Sequence, residues 1–318
     1  MTDPVLVGTR ASALALTQTT TVAESLAGLG GFGYELVRVS TTGDVNRASL
    51  SQIGGTGVFV TALREALLAK TCDVAVHSLK DLPTTQAEGL VVAAIPERVD
   101  TRDALCARDG LTLAELPGGA SVGTGSPRRA AQLRSARPDL TVIDIRGNVD
   151  TRLGRVAGLV EGGPGDLDAV VLAAAGLFRL GRQNLITEYL DPALMLPAPG
   201  QGALAIECRT ADAGESQFAE ALRLYDHEPT RLAVTAERAL LRRLEAGCTA
   251  PIGALAGTED GVLALEAVVC SADGSRLLRR GQTTPHLTES GAAALGIALA
   301  EELLAAGAAE IAGLSADS

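Results

Sequence analysis

The sequence predicts an α/β protein with two similar lobes joined by two hinge strands, followed by a small α+β domain. Three observations lead to this prediction. Strand-like and helix-like patterns alternate along most of the chain, which favours mostly parallel sheets. Two segments rich in polar residues or in Pro and Gly, 96–102 and 196–202, interrupt the alternation and are interpreted as crossings between the lobes. From about Pro229 a long helix and strand-like runs replace the alternation.

The first lobe begins with a strand pattern. Val5 to Gly8 is a short apolar run, and Ala11 to Leu26 is rich in Ala and Leu, which favour helix. Tyr34 to Ser40 alternates in the way that a half-buried strand does. The segment Thr41 to Gly57 is rich in Gly, Ser, Thr and Asn, so we predict a loop there. We then predict a helix at Val58 to Ala69, a buried strand at Asp73 to His77 and an apolar strand at Leu90 to Ile95.

The second lobe repeats the alternation, and the third domain does not. In the second lobe we predict strands at Ser121–Gly123, Thr141–Ile145 and Ala169–Leu172, and helices at Pro127–Ala136 and Asn148–Val160. In the third domain we predict helices at Pro229–Glu245 and Ala292–Ala305, and strands at Val262–Cys270 and Arg276–Thr283. The expected boundaries are 1–96 with 203–221 for domain 1, 102–197 for domain 2 and 225–318 for domain 3.

Composition limits the class of function. The chain has 318 residues and a formal net charge of -11, which argues against general nucleic-acid binding because that needs a basic face. Of its 27 basic residues only Lys70 and Lys80 are lysine. Coding bias explains the arginine total, but it does not explain where the arginines cluster. The sequence begins directly with a strand pattern, without a signal peptide or a long apolar span, so we expect a soluble cytoplasmic protein.

The segment 73–83 is the most informative stretch for function. An apolar strand leads into His77, Ser78, Lys80 and Asp81, and ligand sites of open α/β sheets lie at such strand ends. Asp81 is interpreted either as a carboxylate that stabilises a cationic substrate or transfers protons, or as a structural salt-bridge partner. Lys80 suits a Schiff base or a carboxylate contact. We expect His77 to be a buried histidine with its hydrogen bonds satisfied.

The segment 123–129 is a glycine turn that leads into a helix. Its free backbone N–H groups, the hydroxyls of Thr124 and Ser126, and the side chains of Arg128 and Arg129 together suit an oxyanion. The alternative is an ordinary capped helix start with two solvated arginines.

Other predicted strand ends also carry arginine. Arg146 follows one strand, and Arg152 lies six residues later, in the first turns of a predicted helix. Arg10 and Ser12 follow the first strand, and Arg179 follows the strand at 169–174. Because the guanidinium fork binds carboxylate or phosphate in a bidentate manner, these residues predict a common crevice for a ligand with several anionic groups.

The five cysteines lie at 72, 106, 208, 248 and 270. Their odd number, their long spacing and the lack of a C-x-x-C motif exclude a disulfide framework and a zinc site. With only three histidines in the chain, a histidine-based metal site is not expected either. Cys248 lies on a turn just past a predicted helix end, where a thiol is more accessible than in a strand. Cys270 closes an apolar strand and is expected to be a core residue.

Taken together, these segments resemble the porphobilinogen deaminase (hydroxymethylbilane synthase) family over nearly the full chain. The resemblance implies three domains, of which the first two look like the lobes of a periplasmic binding protein and the third carries a covalent cofactor. The motifs that carry it are Thr9–Ser12, Ala75–Asp81, Gly123–Arg129, Arg146–Asn148, Ala175–Leu177, Pro199–Ala203 and Gly247–Cys248.

The resemblance also implies the chemistry. Cys248 is expected to hold a dipyrromethane cofactor through a thioether bond, onto which four porphobilinogen molecules are deaminated and joined head to tail. Hydrolysis then releases hydroxymethylbilane for heme and other tetrapyrrole biosynthesis. Asp81 is expected to stabilise cationic intermediates and to shuttle protons, because arginine cannot. The residues expected to bind the acetate and propionate groups, or otherwise to contact cofactor and substrate, are Arg10, Ser12, Phe59, Ser78, Lys80, Thr124, Ser126, Arg128, Arg129, Arg146, Arg152, Arg179 and Gln201.

One segment departs from the family pattern. The loop Leu50 to Gly57 often carries lysines in this family, whereas this chain has Gln52 and Thr56; Phe59 is retained. The resemblance further suggests a monomer that passes its product to uroporphyrinogen-III synthase. The competing interpretations are a solute-binding or sensor protein for a polycarboxylate and a Schiff-base lyase that uses Lys80.

Overall fold

The computed structural model describes residues 4–39, 57–245 and 250–314, and it describes only the backbone of 57–59. The described chain forms two compact units. Unit 1 runs to Arg98 and resumes from Ala203 to Arg231, whereas unit 2 consists of Val99–Gly202 and the chain from Leu232 onward. The division into three domains with the boundaries given above stays a prediction.

The described strands and helices are numbered in chain order. The strands are β1 Val5–Thr9, β2 Tyr34–Arg38, β3 Val74–Ser78, β4 Leu90–Ala94, β5 Asp103–Ala107, β6 Ser121–Gly123, β7 Thr141–Ile143, β8 Ala169–Ala173, β9 Glu188–Tyr189, β10 Leu204–Arg209, β11 Ile252–Glu259, β12 Val262–Cys270 and β13 Leu277–Thr284. The helices are α1 Ala13–Gly30, α2 Gly57–Leu68, α3 Pro127–Ala136, α4 Val149–Leu153, α5 Ala174–Arg179, α6 Gln217–Tyr225, α7 Glu228–Arg243, α8 Glu289–Ala305 and α9 Ala308–Ala312.

The sheet of unit 1 has the strand order β2-β1-β3-β10-β4. Strands β2, β1 and β3 are parallel, and β10 enters antiparallel between β3 and β4. The core on this sheet is built of small and medium apolar side chains such as Val7, Val22, Leu26 and Ile206. The predicted strands are confirmed, but β10 was not predicted, although it fills the middle of the sheet.

The five-stranded sheet of unit 2 repeats this pattern in the order β7-β6-β8-β5-β9. Three parallel strands are followed by β5, which lies antiparallel beside β8 and follows a crossing segment as β10 does. The predicted fold class, two similar α/β lobes, is therefore confirmed. The predicted helix at Asn148–Val160 is wrong beyond Leu153, because Val156 pairs with Leu167 in a parallel bridge and a left-handed Gly158 follows.

A separate antiparallel sheet, β11-β12-β13, lies in the C-terminal part of unit 2. Helices α7 and α8 pack on it through a core that includes Leu240, Leu265 and Leu299. This is the small α+β arrangement that the sequence predicts. Among all the helices with described residues, none has the length and apolarity that crossing a bilayer requires.

Candidate active site

The parallel strands of unit 1 deliver polar residues to one edge of their sheet. Strand β1 ends at Thr9 and leads to Arg10 and Ser12; the Ser12 hydroxyl caps α1 by accepting a hydrogen bond from the Ala15 N–H at 3.3 Å. Strand β3 leads into a single 3₁₀ turn over Leu79–Asp81. At this turn Lys80 is half-buried and Asp81 is exposed to solvent. An exposed carboxylate at the carboxyl end of a buried strand is available to a ligand.

Behind this strand end lies a buried ionic cluster. His77 of β3 pairs in register with Ala205 of β10, so Glu207, two residues further, is its diagonal neighbour on the same face. The His77 Nε2 lies 3.2 Å from a Glu207 carboxylate oxygen. From α2, Arg64 contributes Nε and Nη2, which donate to the same carboxylate at 2.9–3.1 Å. His77 is buried as predicted, but its Nε2 has no well-aligned hydrogen bond among the described residues, so the prediction that its hydrogen bonds are satisfied is wrong.

The charges of this cluster favour an ionised Glu207. Burial by itself would raise the pKa of Glu207, but the hydrogen bonds and charges of His77 and Arg64 lower it overall. An anion therefore connects β3, β10 and α2, and its contact on β3 lies two residues before the turn that carries Asp81.

In unit 2 the turn after β6 adopts the predicted capped helix start. The Thr124 hydroxyl accepts from the Ser126 N–H at 3.2 Å, and the Ser126 hydroxyl accepts from the Arg129 N–H at 3.4 Å. A Cβ at Gly125 would lie 2.5 Å from the carbonyl oxygen of Ile145, so only glycine fits where the turn passes the backbone that follows β7. Both hydroxyls still have a hydrogen to donate to an anion.

Arg128 and Arg129 are buried, 4% and 5% exposed, and both bind the fully buried carboxylate of Asp103. Arg128 Nη1 donates to Asp103 Oδ2 at 2.7 Å and to the Leu196 carbonyl at 2.6 Å. Arg129 Nε donates to Asp103 Oδ1 at 2.9 Å, and its Nη1 donates to the Val171 carbonyl. The alternative of two solvated arginines is thus wrong, and their contact with a ligand stays a prediction.

Arg146 and Arg152 lie further along unit 2, and Arg152 has a hydrogen-bond donor that no described residue accepts. The Nε of Arg152 is buried and has no hydrogen-bond partner among the residues that the structure describes. Burial and the nearby cations Arg129 and Arg146 lower the pKa of Arg152, against a smaller opposite effect of Asp144. Arg146 is about half exposed, with Nη2 3.6 Å from Asp144. A buried guanidinium Nε without a partner in the described part of the chain, close to other cations, suits an anionic ligand.

Arg179 and Gln201 contact the second crossing segment or belong to it. Arg179 Nη2 donates to the Gly202 carbonyl at 2.8 Å. Gln201 is fully buried, and its Nε2 donates to the Thr101 carbonyl at 2.8 Å and to Asp103 at 2.9 Å. Gln201 therefore connects the two crossing segments within unit 2, and its predicted contact with a ligand stays a prediction.

Several predicted residues lie outside what the structure describes. Cys248, Gln52 and Thr56 fall in the gaps, and the side chain of Phe59 is not described. Cys270, in contrast, is fully buried, and this burial raises the pKa of its thiol to about 11. Its prediction as an inert core residue is confirmed.

The sequence interpretation missed Asp103, Glu207 and Arg64. Asp103 and Glu207 belong to β5 and β10, two antiparallel strands that are absent from the sequence predictions. The available signal was a single acidic residue next to an apolar run in each, Asp-Ala-Leu-Cys-Ala and Leu-Ala-Ile-Glu-Cys. An acid beside such a run, in a chain rich in arginine, indicates a buried ion pair.

Comparison with known proteins gives one consistent family. The family model "Porphobilinogen deaminase, dipyromethane cofactor binding domain" matches residues 5–217, and "Porphobilinogen deaminase, C-terminal domain" matches residues 231–305. The chain is 56% identical to a porphobilinogen deaminase of Cutibacterium acnes, with 98% of each chain covered. It is 56% identical to that of Leifsonia xyli, over 97% of this chain and 94% of the relative, and 54% identical to that of Thermobifida fusca, over 98% and 96%.

Proposed function

The chain belongs to the porphobilinogen deaminase family, and from this premise we propose which of its own residues carry out the reaction. It is a transferase that deaminates four porphobilinogen molecules and joins them head to tail onto a dipyrromethane cofactor. Hydrolysis then yields hydroxymethylbilane, with four ammonia molecules released in all. The competing solute-binding or sensor function is not favoured, because the match includes the cofactor-binding domain.

We propose that Cys248 attaches the cofactor by its thiol sulfur. Among the cysteines at described positions, 72, 106, 208 and 270 are all buried, and burial raises the pKa of each thiol to about 11 or 12. A thiol that stays protonated and buried is a poor nucleophile. When bound, the cofactor supplies the primer to which the porphobilinogen units are added.

The observation that carries the proposal is the buried Nε of Arg152, without a hydrogen-bond partner in the described part of the chain and beside two other cations. The acetate and propionate groups of pyrroles are the kind of anion that such a guanidinium binds. We propose that Arg152 and Arg146 hold carboxylates of cofactor and substrate, with Thr124 and Ser126 donating their free hydroxyl hydrogens. The further residues assigned to binding are Arg10, Ser12, Phe59, Ser78, Lys80, Arg128, Arg129, Arg179 and Gln201.

We propose that Asp81 is the catalytic carboxylate. Loss of ammonia from porphobilinogen leaves a cationic carbon, and the coupling of two pyrroles places positive charge on a ring. A carboxylate fixed at a strand end stabilises both cations and takes up the ring proton. Exposure at the 3₁₀ turn makes Asp81 accessible, and the His77–Glu207–Arg64 cluster supports the strand behind it. Lys80 is assigned to carboxylate binding rather than to a Schiff base.

Intact-mass measurement tests the attachment. Purified protein should be heavier than its sequence by a two-pyrrole adduct, and Cys248→Ser should lack this mass. Cys270→Ala is the matched control, because it removes another thiol and should keep the adduct. An adduct that persists in Cys248→Ser would transfer the attachment to another residue. An unmodified mass in active protein would remove the covalent cofactor from the assignment.

Turnover measurement tests the catalytic carboxylate. Asp81→Ala should carry the adduct and lose nearly all turnover, whereas Glu88→Ala, another exposed acid of unit 1, should keep both. Near-normal turnover by Asp81→Ala contradicts the role of Asp81. Borohydride treatment in the presence of a carbonyl substrate should leave Lys80 unmodified, and a trapped adduct there would support the lyase alternative.

We further propose that the protein works as a cytoplasmic monomer and that uroporphyrinogen-III synthase receives its product. The family supports these assignments, and light scattering of the purified protein tests the first. A stable dimer at micromolar concentration would contradict it.

A further inference from the structure

Asp103 lies at the ligand-binding edge of the unit 2 sheet although it begins its strand. Strand β5 is antiparallel to β8, so Asp103 pairs in register with Ala173, the last residue of β8. The edge at which β6 and β8 end is therefore the edge at which β5 begins. A fully buried carboxylate thus stands among the residues that follow the parallel strand ends.

Both oxygens of this carboxylate are committed to fixed donors. Oδ2 accepts from Arg128 at 2.7 Å, and Oδ1 accepts from Arg129 at 2.9 Å and from Gln201 at 2.9 Å. Burial alone would raise the pKa of Asp103, but the two guanidinium groups and these hydrogen bonds lower it well below its usual range. Asp103 is therefore an anion throughout the working pH range.

Arg129 connects this anion to the arginine that has unused capacity. Its guanidinium is fixed from two sides, by Asp103 and by the Val171 carbonyl. It is also close enough to Arg152 for its charge to lower the pKa of Arg152. Like charges near each other repel unless an anion offsets them, and they repel more strongly where water is partly excluded. Asp103 is positioned to supply that anion.

We propose that Asp103 is a positioning residue for the reaction: by accepting hydrogen bonds from Arg128 and Arg129, it holds the Arg129 guanidinium where it can bind a ligand carboxylate. The inference rests on the proposed function and deepens it, because it names the buried anion that holds two of the arginines assigned to ligand binding, Arg128 and Arg129. Without Asp103, two buried guanidinium groups lose their shared partner, and Arg129 keeps only its hydrogen bond to the Val171 carbonyl among the contacts described above.

Asp168 provides a matched control within the same sheet. It precedes β8 and therefore lies at the opposite edge from Asp103. Its carboxylate also pairs with an arginine, accepting from Arg108 Nε at 2.7 Å and from the Ser121 N–H at 2.7 Å. Asp168→Asn therefore removes a carboxylate–arginine pair of unit 2 and leaves the hydrogen bonds of Asp103 to Arg128 and Arg129 in place.

The experiment compares wild type, Asp103→Asn and Asp168→Asn as full-length holoenzymes. Intact mass gives the fraction that carries the adduct, and rates are expressed per loaded molecule. Citrate serves as a probe polycarboxylate whose binding raises the melting temperature, a readout that needs no turnover.

We expect both variants to melt below wild type. Only Asp103→Asn should raise the KM for porphobilinogen, by about tenfold or more, the loss that corresponds to one charge-assisted hydrogen bond. Only Asp103→Asn should also lose most of the stabilisation by citrate. Wild-type KM and citrate response in Asp103→Asn, or equal changes in Asp168→Asn, would overturn the proposal.

A double variant covers the case in which Asp103→Asn does not fold. In Asp103→Asn/Arg128→Met one buried cation leaves together with the buried anion, and an apolar side chain takes the buried position of Arg128. Its KM should exceed that of Arg128→Met alone, because Arg129 still lacks its anchor. A KM equal to that of Arg128→Met would mean that Asp103 only balances charge, and the positioning role would fall. Absence of the adduct from wild type would instead refute the proposed function.

Discussion

The cluster beneath the Asp81 turn allows a quantitative test in unit 1. Glu207 is 2% exposed and accepts three close contacts from the Arg64 side chain, while His77 Nε2 lies 3.2 Å away. The perturbation is Glu207→Gln, which keeps the shape of the side chain and removes its charge. Arg64 then faces a neutral amide that can satisfy only part of its donors.

The size of the effect follows from burial. Removing one partner of a buried ion pair costs about 3–5 kcal/mol of unfolding free energy. The Arg64 side chain retains 16% exposure, so its head can recover some hydration, and we expect a loss near the lower end of that range, about 3 kcal/mol. Arg64→Met should cost a similar amount, because it leaves Glu207 as the buried charge with only His77 beside it.

The assay is hydrogen exchange of the β3 and β10 backbone amides, which reports the opening free energy of unit 1 alone. In a double-mutant cycle the two substitutions should be non-additive, since each removes the same interaction. The double variant should be more stable than the sum of the single losses predicts by about 2 kcal/mol, within the range for residues in contact. Additivity within about 0.5 kcal/mol would refute the reasoning, because it would show that the pair does not act as a unit.

Three further predictions concern other contacts. Ser126→Ala removes the cap of α3, so it should cost about 0.5–1 kcal/mol of unfolding free energy and raise the KM for porphobilinogen. Ser216→Ala removes the corresponding cap of α6 and should lower stability without changing KM. Equal KM values in the two variants would contradict the role of Ser126 in anion binding. Gly274→Ala should lower the melting temperature strongly, because a Cβ at this position would lie 2.6 Å from a backbone carbonyl oxygen of α3. Gly307 also has a left-handed backbone but open space around it, so Gly307→Ala should cost only about 1–2 kcal/mol of stability. Similar losses of stability in the two variants would refute the close contact. The pKa of Glu207 is lower in the folded protein than in the unfolded chain, where it is about 4.3. Ionisation of Glu207 therefore stabilises the fold above about pH 4.3, and this contribution is lost as pH falls through the folded pKa. Wild type should lose more stability than Glu207→Gln below about pH 4.3, and parallel acid unfolding curves would contradict the shift.

The local pattern predicted the parallel strands and the polar residues at their ends. Apolar runs such as the one before Ser78 are short and bounded by turn residues, so their structure depends on their neighbours in sequence. The capped turn at Thr124 and Ser126 was predictable for the same reason. These elements are predictable because the interactions that form them act over a few residues.

The antiparallel strands and their acids were not predictable in this way. Asp103 meets Arg128 only because β5 is added to the sheet beside β8, and Glu207 meets Arg64 over 143 positions of sequence. The sequence pattern of 123–129 therefore leaves an anion site and a solvated helix start as alternatives, and it does not predict that Asp103 binds both Arg128 and Arg129 in the interior. Pairing across a sheet depends on topology, and a single sequence contains no local signal for the partner.

The place of β10 in the unit 1 sheet has a consequence for synthesis of the chain on the ribosome. Strand β10 separates β3 from β4 in the sheet, yet it follows β4 by more than a hundred residues of sequence. Until Leu204–Arg209 emerges, β3 and β4 each present an unpaired edge. The five-stranded sheet of unit 2, whose strands all lie between Asp103 and Tyr189, is already out of the ribosome by then. We therefore expect the sheet of unit 1 to fold after the sheet of unit 2. Until its strands are paired, unit 1 should depend on chaperones.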